Sequence, residues 1–235
     1  VLEELGPTFI KLGQILSTRT DIIPPIFIEE LSKLQDEVES LEFEKIESIL
    51  NNELNGNYKD YFLKVNKNPQ ATASIAQTHK AKLKNGKKVI LKIQRPGLEK
   101  KINTDLEIIL NMTKILNKRN IIPSYINPEN LVDEFKENIN KEMDFKRELA
   151  NIKKFKANFV NNPDILAPEV FENLSTKKLL VMEEIKGVKL KNVENSNDKI
   201  NASYIAELGA WSLFKQVLID GFFHGDPHPG NIFVV

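Results

Sequence analysis

The chain has 235 residues, no cysteine and a formal net charge of zero, with 33 lysines and arginines against 33 aspartates and glutamates. The absence of cysteine excludes disulfides, thiolate catalysis and zinc–cysteine sites. The balanced charge argues against a nucleic-acid partner held by phosphate contacts. A hydrophobic content of 41% is ordinary for a globular chain, and the length predicts one large domain or two small ones.

Both ends of the sequence suggest a segment of a longer protein. Val1 is not a methionine and already lies within a helical pattern, and Val235 ends the apolar run that begins at Ile232. Because natural termini are usually polar and frayed, we expect the sequence to be part of a longer chain. It contains no signal peptide and no run of 18 apolar residues, so no transmembrane segment is predicted.

The first 55 residues have the pattern of amphipathic helices. Apolar residues at spacings of three and four predict helices over 2–16, 28–38 and around 46–50. The prolines within 21–25 separate the first two helices, because proline removes a backbone donor and restricts the residue before it. Gly56 ends this helical block.

The pattern then changes to that of strands. Tyr61–Val65 is a short strand candidate, and two longer strands are predicted over 73–83 and 88–94. Asn85-Gly86 lies between them and is a strong hairpin signal, because this pair accepts the positive φ of a tight turn.

The rest of the chain alternates between helix and strand patterns, with no visible internal repeat. The predicted elements are helices over 98–116, 128–159 and 202–218, β-compatible runs at 170–171 and 179–182, and a polar loop over 192–201. A helical leader followed by an antiparallel sheet with inserted helices predicts an α+β fold.

The segment His224–Asn231 is the strongest functional motif. Asp226 and Asn231 have the D-x-x-x-x-N spacing of the kinase catalytic loop, in which the aspartate orients the attacking hydroxyl and the asparagine binds magnesium. Two alternatives are a structural turn rich in Gly and Pro and metal binding by His224 and His228. Because the prolines of this segment disfavour a helix, the two histidines are not expected to share a helical face.

Lys92 and two acidic residues form a second group. Lys92 lies among apolar residues of a predicted strand, as does the kinase lysine that holds the α/β-phosphates. Asp144 and Glu148 are four residues apart on a predicted helix and so share a face, with Lys92 a candidate partner. The alternatives are an outward-facing lysine and a solvated charged helix face.

Taken together, five motifs resemble the UbiB family of atypical kinases, protein-kinase-like proteins associated with ubiquinone biosynthesis. They occur in the family's order, from the first residues to the last. The motifs are Lys11–Gln14, Pro69–His79, Lys92–Gly97, Glu142–Asp144 with Glu148, and His224–Asn231.

The resemblance implies a protein-kinase-like fold that binds ATP and Mg²⁺. It implies that Lys92 binds the ATP phosphates and pairs with Glu148, that Asp226 is catalytic and that Asn231 holds the metal. Nucleotide contacts are expected from the alanine-rich loop that replaces a glycine-rich one, and from the hinge. Those residues are Ala71, Ala73, Ser74, Ile75 and Ala76 in the loop, and Glu183 and Ile185 in the hinge.

The resemblance also implies pocket-closing residues and domain boundaries. Lys11 and Gln14 match a K-x-G-Q motif that faces Glu142 and Asp144, and together they would restrict access by bulky protein substrates. The expected parts are an N-terminal helical extension over 1–55, a kinase-like N-lobe over 56–185 and the start of a C-lobe over 186–235.

Three features depart from the family pattern. Thr72 stands where the family usually has alanine, and Ile90 occupies the small-residue position that normally makes room for adenine. No D-F-G motif follows the loop, because the sequence stops at Val235. The segment alone is therefore expected to lack a metal ligand and to be inactive.

The expected function of the parent is kinase or ATPase activity that supports quinone or isoprenoid-lipid metabolism. The expected partners are ATP, such a lipid and a membrane surface. No nucleic acid is expected, and a homodimer is left open. The expected location is cytoplasmic or peripheral at the membrane. The alternatives are a small-molecule phosphotransferase of the aminoglycoside or choline kinase type, which shares the His224-Gly225-Asp226 tripeptide, and a non-catalytic, nucleotide-gated lipid-binding scaffold.

Overall fold

The computed structural model describes residues 2–20, 23–34, 38–119, 127–195, 200–225 and 227–235. The chain divides into two compact units. The first comprises residues 1–148 and 171–181, and the second comprises residues 149–170 and 182–235.

The first unit begins with short helices. They are α1 (Leu2–Leu5), α2 (Pro7–Leu16), α3 (Pro25–Leu31) and α4 (Phe43–Glu53). The prediction of one helix over 2–16 is wrong, because Gly6 has a φ of 102° and Pro7 begins a new helix without an N–H to donate. The second predicted helix is also too long, since α3 ends at Leu31.

A five-stranded antiparallel sheet follows. Its strands are β1 (Phe62–Val65), β2 (Ala71–Thr72), β3 (Ala76–Leu83), β4 (Lys88–Gln94) and β5 (Leu179–Glu183), in the order β1-β3-β4-β5 with β2 paired to β3. The predicted hairpin at Asn85-Gly86 is confirmed, and Gly86 has the positive φ of 89° that the turn requires. The prediction that β3 begins at residue 73 is wrong, because residues 73–75 form a turn between β2 and β3.

One face of this sheet packs against α4. Ile46 and Leu50 of α4 lie against Val89, Leu91 and Ile93 of β4, and all five side chains are fully buried. The alternation in β4 follows from the two-residue period of a strand. It leaves Ile90, Lys92 and Gln94 on the opposite face.

A second hydrophobic core joins three helices. Its buried side chains come mainly from α5 (Leu98–Lys118) and α6 (Pro128–Glu142), and Phe9, Leu12 and Ile15 of α2 pack against them. A further helix, α7 (Phe145–Asn158), follows α6 after a break. The prediction of one helix over 128–159 is therefore wrong: the Asp144 side chain accepts the N–H of Lys146 at 3.0 Å, in the manner of a helix cap.

The second unit contains a two-stranded ribbon and the last helix. The ribbon pairs β6 (Val188–Lys189) with β7 (Phe233–Val234), and α8 (Ala202–Phe214) continues into a π-helical turn over Lys215–Ile219. The polar loop predicted over 192–201 begins as a 3₁₀ turn that ends at Asn195, and residues 196–199 lie outside the described part. No helix among the described residues is long and apolar enough to cross a membrane.

A buried polar network holds the segment before α4 onto β3. Gln77 accepts the Leu41 N–H at 2.8 Å and donates to the Leu41 carbonyl at 3.2 Å. The same amide nitrogen lies 2.9 Å from Nε2 of His79, and Nδ1 of His79 lies 2.7 Å from the Asn66 carbonyl. These partners require a neutral His79 that donates from Nδ1 and accepts at Nε2.

Because His79 is neutral when folded, we expect the stability of the chain to decline in mild acid. Burial lowers the pKa of His79 from its usual 6.5. Below about pH 6.5 the unfolded chain therefore binds a proton that the folded chain excludes, so the free energy of unfolding falls as the pH drops. Above that pH, His79 makes its full contribution to the free energy of unfolding.

The test is urea unfolding of the wild type and His79→Gln between pH 5 and pH 8. The advantage of the wild type should shrink as the pH falls. A constant difference between the two proteins would show that His79 does not titrate differently on folding.

Candidate nucleotide site

Lys92 and Glu148 form the central ion pair of the first unit. The Lys92 ammonium lies 2.9 and 2.7 Å from the two carboxylate oxygens of Glu148 and 5.1 Å from the ring centroid of Phe145. Lys92 faces away from the α4 core because its neighbours in β4 are buried there, and Glu148 lies in the first turn of α7. Lys92 and Glu148 therefore form the pair that the sequence predicts.

The pair contributes little to the stability of the fold. Its side chains retain 28% and 35% of their exposure, and an ion pair that is this accessible contributes about 0–1 kcal/mol to folding. An ammonium held by one carboxylate can still approach a phosphate group. Ile90 lies half-buried on the same face of β4, two residues away.

A second ion pair joins α2 to the end of α6. The Lys11 ammonium lies 2.9 Å from a carboxylate oxygen of Glu142. Thr8, one turn earlier in α2, donates a buried hydrogen bond of 2.5 Å to Asp105 of α5. Helix α2 is thus held by polar contacts as well as by its apolar face.

The other two residues of the predicted pocket-closing set are placed differently. Gln14 lies half-buried in α2, one turn after Lys11. Asp144 caps α7 and lines a cavity of about 230 Å³ together with Gln94, Met143 and Arg147. The structure therefore brings Lys11 to Glu142, whereas Asp144 contributes to the break between helices.

The alanine-rich loop is buried at its tip. Ser74 is fully buried, and Ile75 is 4% exposed within the core that α5 and α6 form. Ala76 starts β3 and is also buried, whereas Ala71 is exposed. The side chain of Ile75 consequently anchors the loop, and only the backbone of the tip could contact a ligand.

Arg95 fixes the same loop from the end of β4. Its backbone N–H donates to the Ile75 carbonyl at 2.9 Å, and its guanidinium donates to the carbonyls of Ala73 at 2.8 Å and Glu39 at 2.6 Å. Arg95 belongs to the Lys92–Gly97 motif, but the sequence alone predicts no role for it. Its position directly after the strand that carries Lys92 is the signal that could have suggested one.

The hinge candidates lie in the second unit. Glu183 is exposed and forms two hydrogen bonds with Glu169. Its backbone N–H donates to the Glu169 carbonyl at 2.8 Å, and its side-chain carboxylate accepts the Glu169 N–H at 3.1 Å. Ile185 is half-buried.

The predicted catalytic loop also lies in the second unit. The Asn231 N–H donates to the His228 carbonyl at 2.8 Å, and His228 Nδ1 accepts the Gly230 N–H at 3.0 Å. These bonds make a tight turn that leaves the Asn231 side chain exposed. Asp226 lies outside the described residues, and the described part of the chain contains no group of three or more acidic or histidine side chains that could hold a metal.

Comparison with solved structures supports a protein-kinase-like fold. The chain is similar over its whole length to Rv3197 from Mycobacterium tuberculosis, whose structure was solved as a complex with erythromycin. The two share 29% sequence identity with a TM-score of 0.71, and the match covers 59% of that chain. Together with the family match that follows, this similarity shows a protein-kinase-like fold.

The chain belongs to the ABC1 atypical kinase-like domain family, whose model matches residues 33–235. It is 45% identical to an uncharacterised protein encoded in the hydrogenase 1 5′ region of Clostridium pasteurianum and 40% identical to a probable protein kinase UbiB of Marinobacter nauticus. Both matches cover 99% of this chain but only 44% and 43% of the relatives. The chain thus spans less than half the length of these relatives.

We predict that Arg95→Met lowers the free energy of unfolding by about 1–3 kcal/mol, because two backbone carbonyls lose a charged donor. Arg147→Met is the matched control, since Arg147 is exposed and its guanidinium, unlike that of Arg95, donates no hydrogen bond to the described residues. Urea unfolding of both variants measures the effect. Equal losses in the two variants would show that the contacts of Arg95 with the loop contribute nothing.

Proposed function

We propose that the parent protein is an ATP-binding atypical kinase or ATPase of the UbiB type. The observation that carries the proposal is the bidentate pair between Lys92 and Glu148, in a chain of the ABC1 atypical kinase-like family. A strand lysine paired with a helix glutamate is the arrangement with which kinases bind the α- and β-phosphates.

In this proposal Glu148 orients Lys92, and Lys92 neutralises charge on the phosphates. The Phe145 ring beneath the ammonium and the buried neighbours in β4 restrict the directions that Lys92 can take. Because one ammonium makes three hydrogen bonds at most, it can keep one carboxylate oxygen and still donate to a phosphate oxygen.

Asp226 and Asn231 supply the catalytic loop. Asp226 would orient the attacking hydroxyl or water, and Asn231 would hold Mg²⁺ through its side-chain oxygen, the ligand type this ion prefers. The exposed side chain of Asn231 fits that role. Bound Mg²⁺ would offset the negative charge on the phosphates during transfer.

Lys11, Gln14, Glu142 and Asp144 are proposed to restrict access to the site. The ion pair between Lys11 and Glu142 supports the proposal for α2. Support of quinone or isoprenoid-lipid metabolism at a membrane surface belongs to the same proposal and rests on the resemblance of the sequence motifs to the UbiB family.

A second candidate function is a non-catalytic, nucleotide-gated lipid-binding scaffold. Two observations favour it. Ile75 holds the tip of the alanine-rich loop in a hydrophobic core, which restricts closure over phosphates, and Ile90 occupies space on the face of β4 that carries Lys92.

We predict that Lys92→Ala abolishes ATP binding by the full-length protein, because the substitution removes the charge that meets the phosphates. Lys88→Ala is the matched control: Lys88 lies on the same face of β4 and has no carboxylate partner among the described residues. A thermal-shift titration with MgATP should show no stabilisation of Lys92→Ala and normal stabilisation of Lys88→Ala. Unchanged ATP affinity in Lys92→Ala contradicts the assignment.

Substitution of Asp226 separates the two candidate functions. We predict that Asp226→Asn reduces phosphate release from ATP by at least about 100-fold, in the range of a lost catalytic acid–base group, while ATP still binds. The assay is phosphate release by full-length protein with and without lipid vesicles. Release that is indifferent to the substitution would exclude catalysis by Asp226 and favour the scaffold.

A further inference from the structure

A buried glutamine links the last helix of the chain to the loop that carries Asp226. Gln216 lies in the π-helical turn after α8 and is only 6% exposed. We propose that Gln216 is a positioning residue, which fixes the loop His224–Asn231 at its N-terminal end. Its consequence for catalysis rests on the proposed function, but the anchoring itself does not.

Both ends of the Gln216 amide are used. The nitrogen donates to the carbonyl of Ser212 at 3.2 Å and to its hydroxyl at 3.1 Å, and the oxygen accepts the His224 N–H at 2.9 Å. The reversed amide would place NH₂ against the N–H of His224, two donors with no acceptor between them. The contact with Ser212 thus directs the amide oxygen towards the loop.

The backbone of Gln216 adds a second bond to the same segment. Its carbonyl accepts the Phe222 N–H at 3.1 Å. Gly221, directly before Phe222, has a φ of 56°, which turns the chain back towards Gln216. Two hydrogen bonds from one residue therefore fix the approach to Asp226, which follows His224 by two residues.

The π-helical turn that presents Gln216 is itself held in place. The Asp220 N–H donates to the Lys215 carbonyl at 2.9 Å, the five-residue step of a π-helix. The Lys215 ammonium lies 2.7 Å from both carboxylate oxygens of Asp220 and 2.9 Å from the Asn158 carbonyl. It also lies 4.7 Å from the ring centroid of Phe159. Single π-turns of this kind occur frequently at functional sites.

The other end of the loop is fixed by the ribbon. The Lys191 N–H donates to the Pro229 carbonyl at 3.2 Å, and the Leu190 N–H donates to the Ile232 carbonyl at 2.9 Å. These bonds continue the pairing of β6 with β7. The described ends of the loop are therefore both anchored, and the side chain of Gln216 holds the end at His224.

The anchoring has a consequence for rate rather than for affinity. A carboxylate that orients a nucleophile must hold its position closely, and a displacement of about 1 Å can cost about 100-fold in rate. Binding of ATP by Lys92 makes no use of Gln216. Loss of the anchor should therefore lower kcat and leave KM for ATP nearly unchanged.

Three variants of the full-length protein test the proposal. Gln216→Met keeps the side-chain length but loses the acceptor, whereas Gln216→Glu keeps an oxygen that can accept the His224 N–H. Val217→Ala is the matched control, because Val217 lies in the same turn and is 47% exposed.

The first readout is hydrogen–deuterium exchange of the peptide that covers residues 222–231. Exchange should be about tenfold faster in Gln216→Met, the factor expected when one buried hydrogen bond is lost. It should remain near the wild-type rate in Val217→Ala and be intermediate in Gln216→Glu, which keeps the acceptor for the His224 N–H but loses the donor to the Ser212 carbonyl. Unchanged exchange in Gln216→Met would overturn the proposal.

The second readout is phosphate release. We expect kcat to fall about 10- to 100-fold in Gln216→Met, with KM for ATP within about twofold and partial recovery in Gln216→Glu. Faster exchange with an unchanged kcat would overturn the positioning role. If the wild type neither binds MgATP nor releases phosphate from it, the proposed function fails, and faster exchange in Gln216→Met still supports the anchor.

Discussion

The burial of alternate residues in β4 is the constraint on which the rest of the first unit depends. Val89, Leu91 and Ile93 fill the core against α4, so the strand cannot shift by one residue without placing Lys92 in that core. The alternation therefore decides which face carries the ammonium. It also places Lys92 where Glu148 of α7 can reach it. A hydrophobic requirement thus determines the position of the charged pair.

The second core gives the N-terminal helices a direct connection to the alanine-rich loop. Phe9, Leu12 and Ile75 pack into the same cluster of α5 and α6 side chains. Arg95 adds polar bonds from the end of β4 to the loop and to Glu39. In a glycine-rich loop the tip moves freely over phosphates, whereas this tip is part of a packed core. Substitutions in α2 should consequently affect the loop as well.

The sequence was informative wherever the structure follows local rules. Asn85-Gly86 determines a hairpin by its backbone preference alone, and the periodicity of α5 is enough to place that helix. The break at Asp144 was not predicted because the apolar period continues through it, and a single capping side chain decides the outcome. The burial of Ile75 and the contacts of Arg95 could not be predicted, since they join residues far apart in the chain. The same holds for Gln216 and His224, whose contact depends on a π-turn that no propensity indicates.

We propose that Lys92, oriented by Glu148, contacts the phosphates of a nucleotide. Isothermal titration of the full-length protein with MgATP and with adenosine, in the wild type and Lys92→Met, tests this most directly. We expect Lys92→Met, like Lys92→Ala, to remove detectable MgATP binding, a loss of at least about tenfold, and to leave adenosine binding unchanged. Equal affinities of the wild type and the variant for MgATP, or equal losses for both ligands, would contradict it.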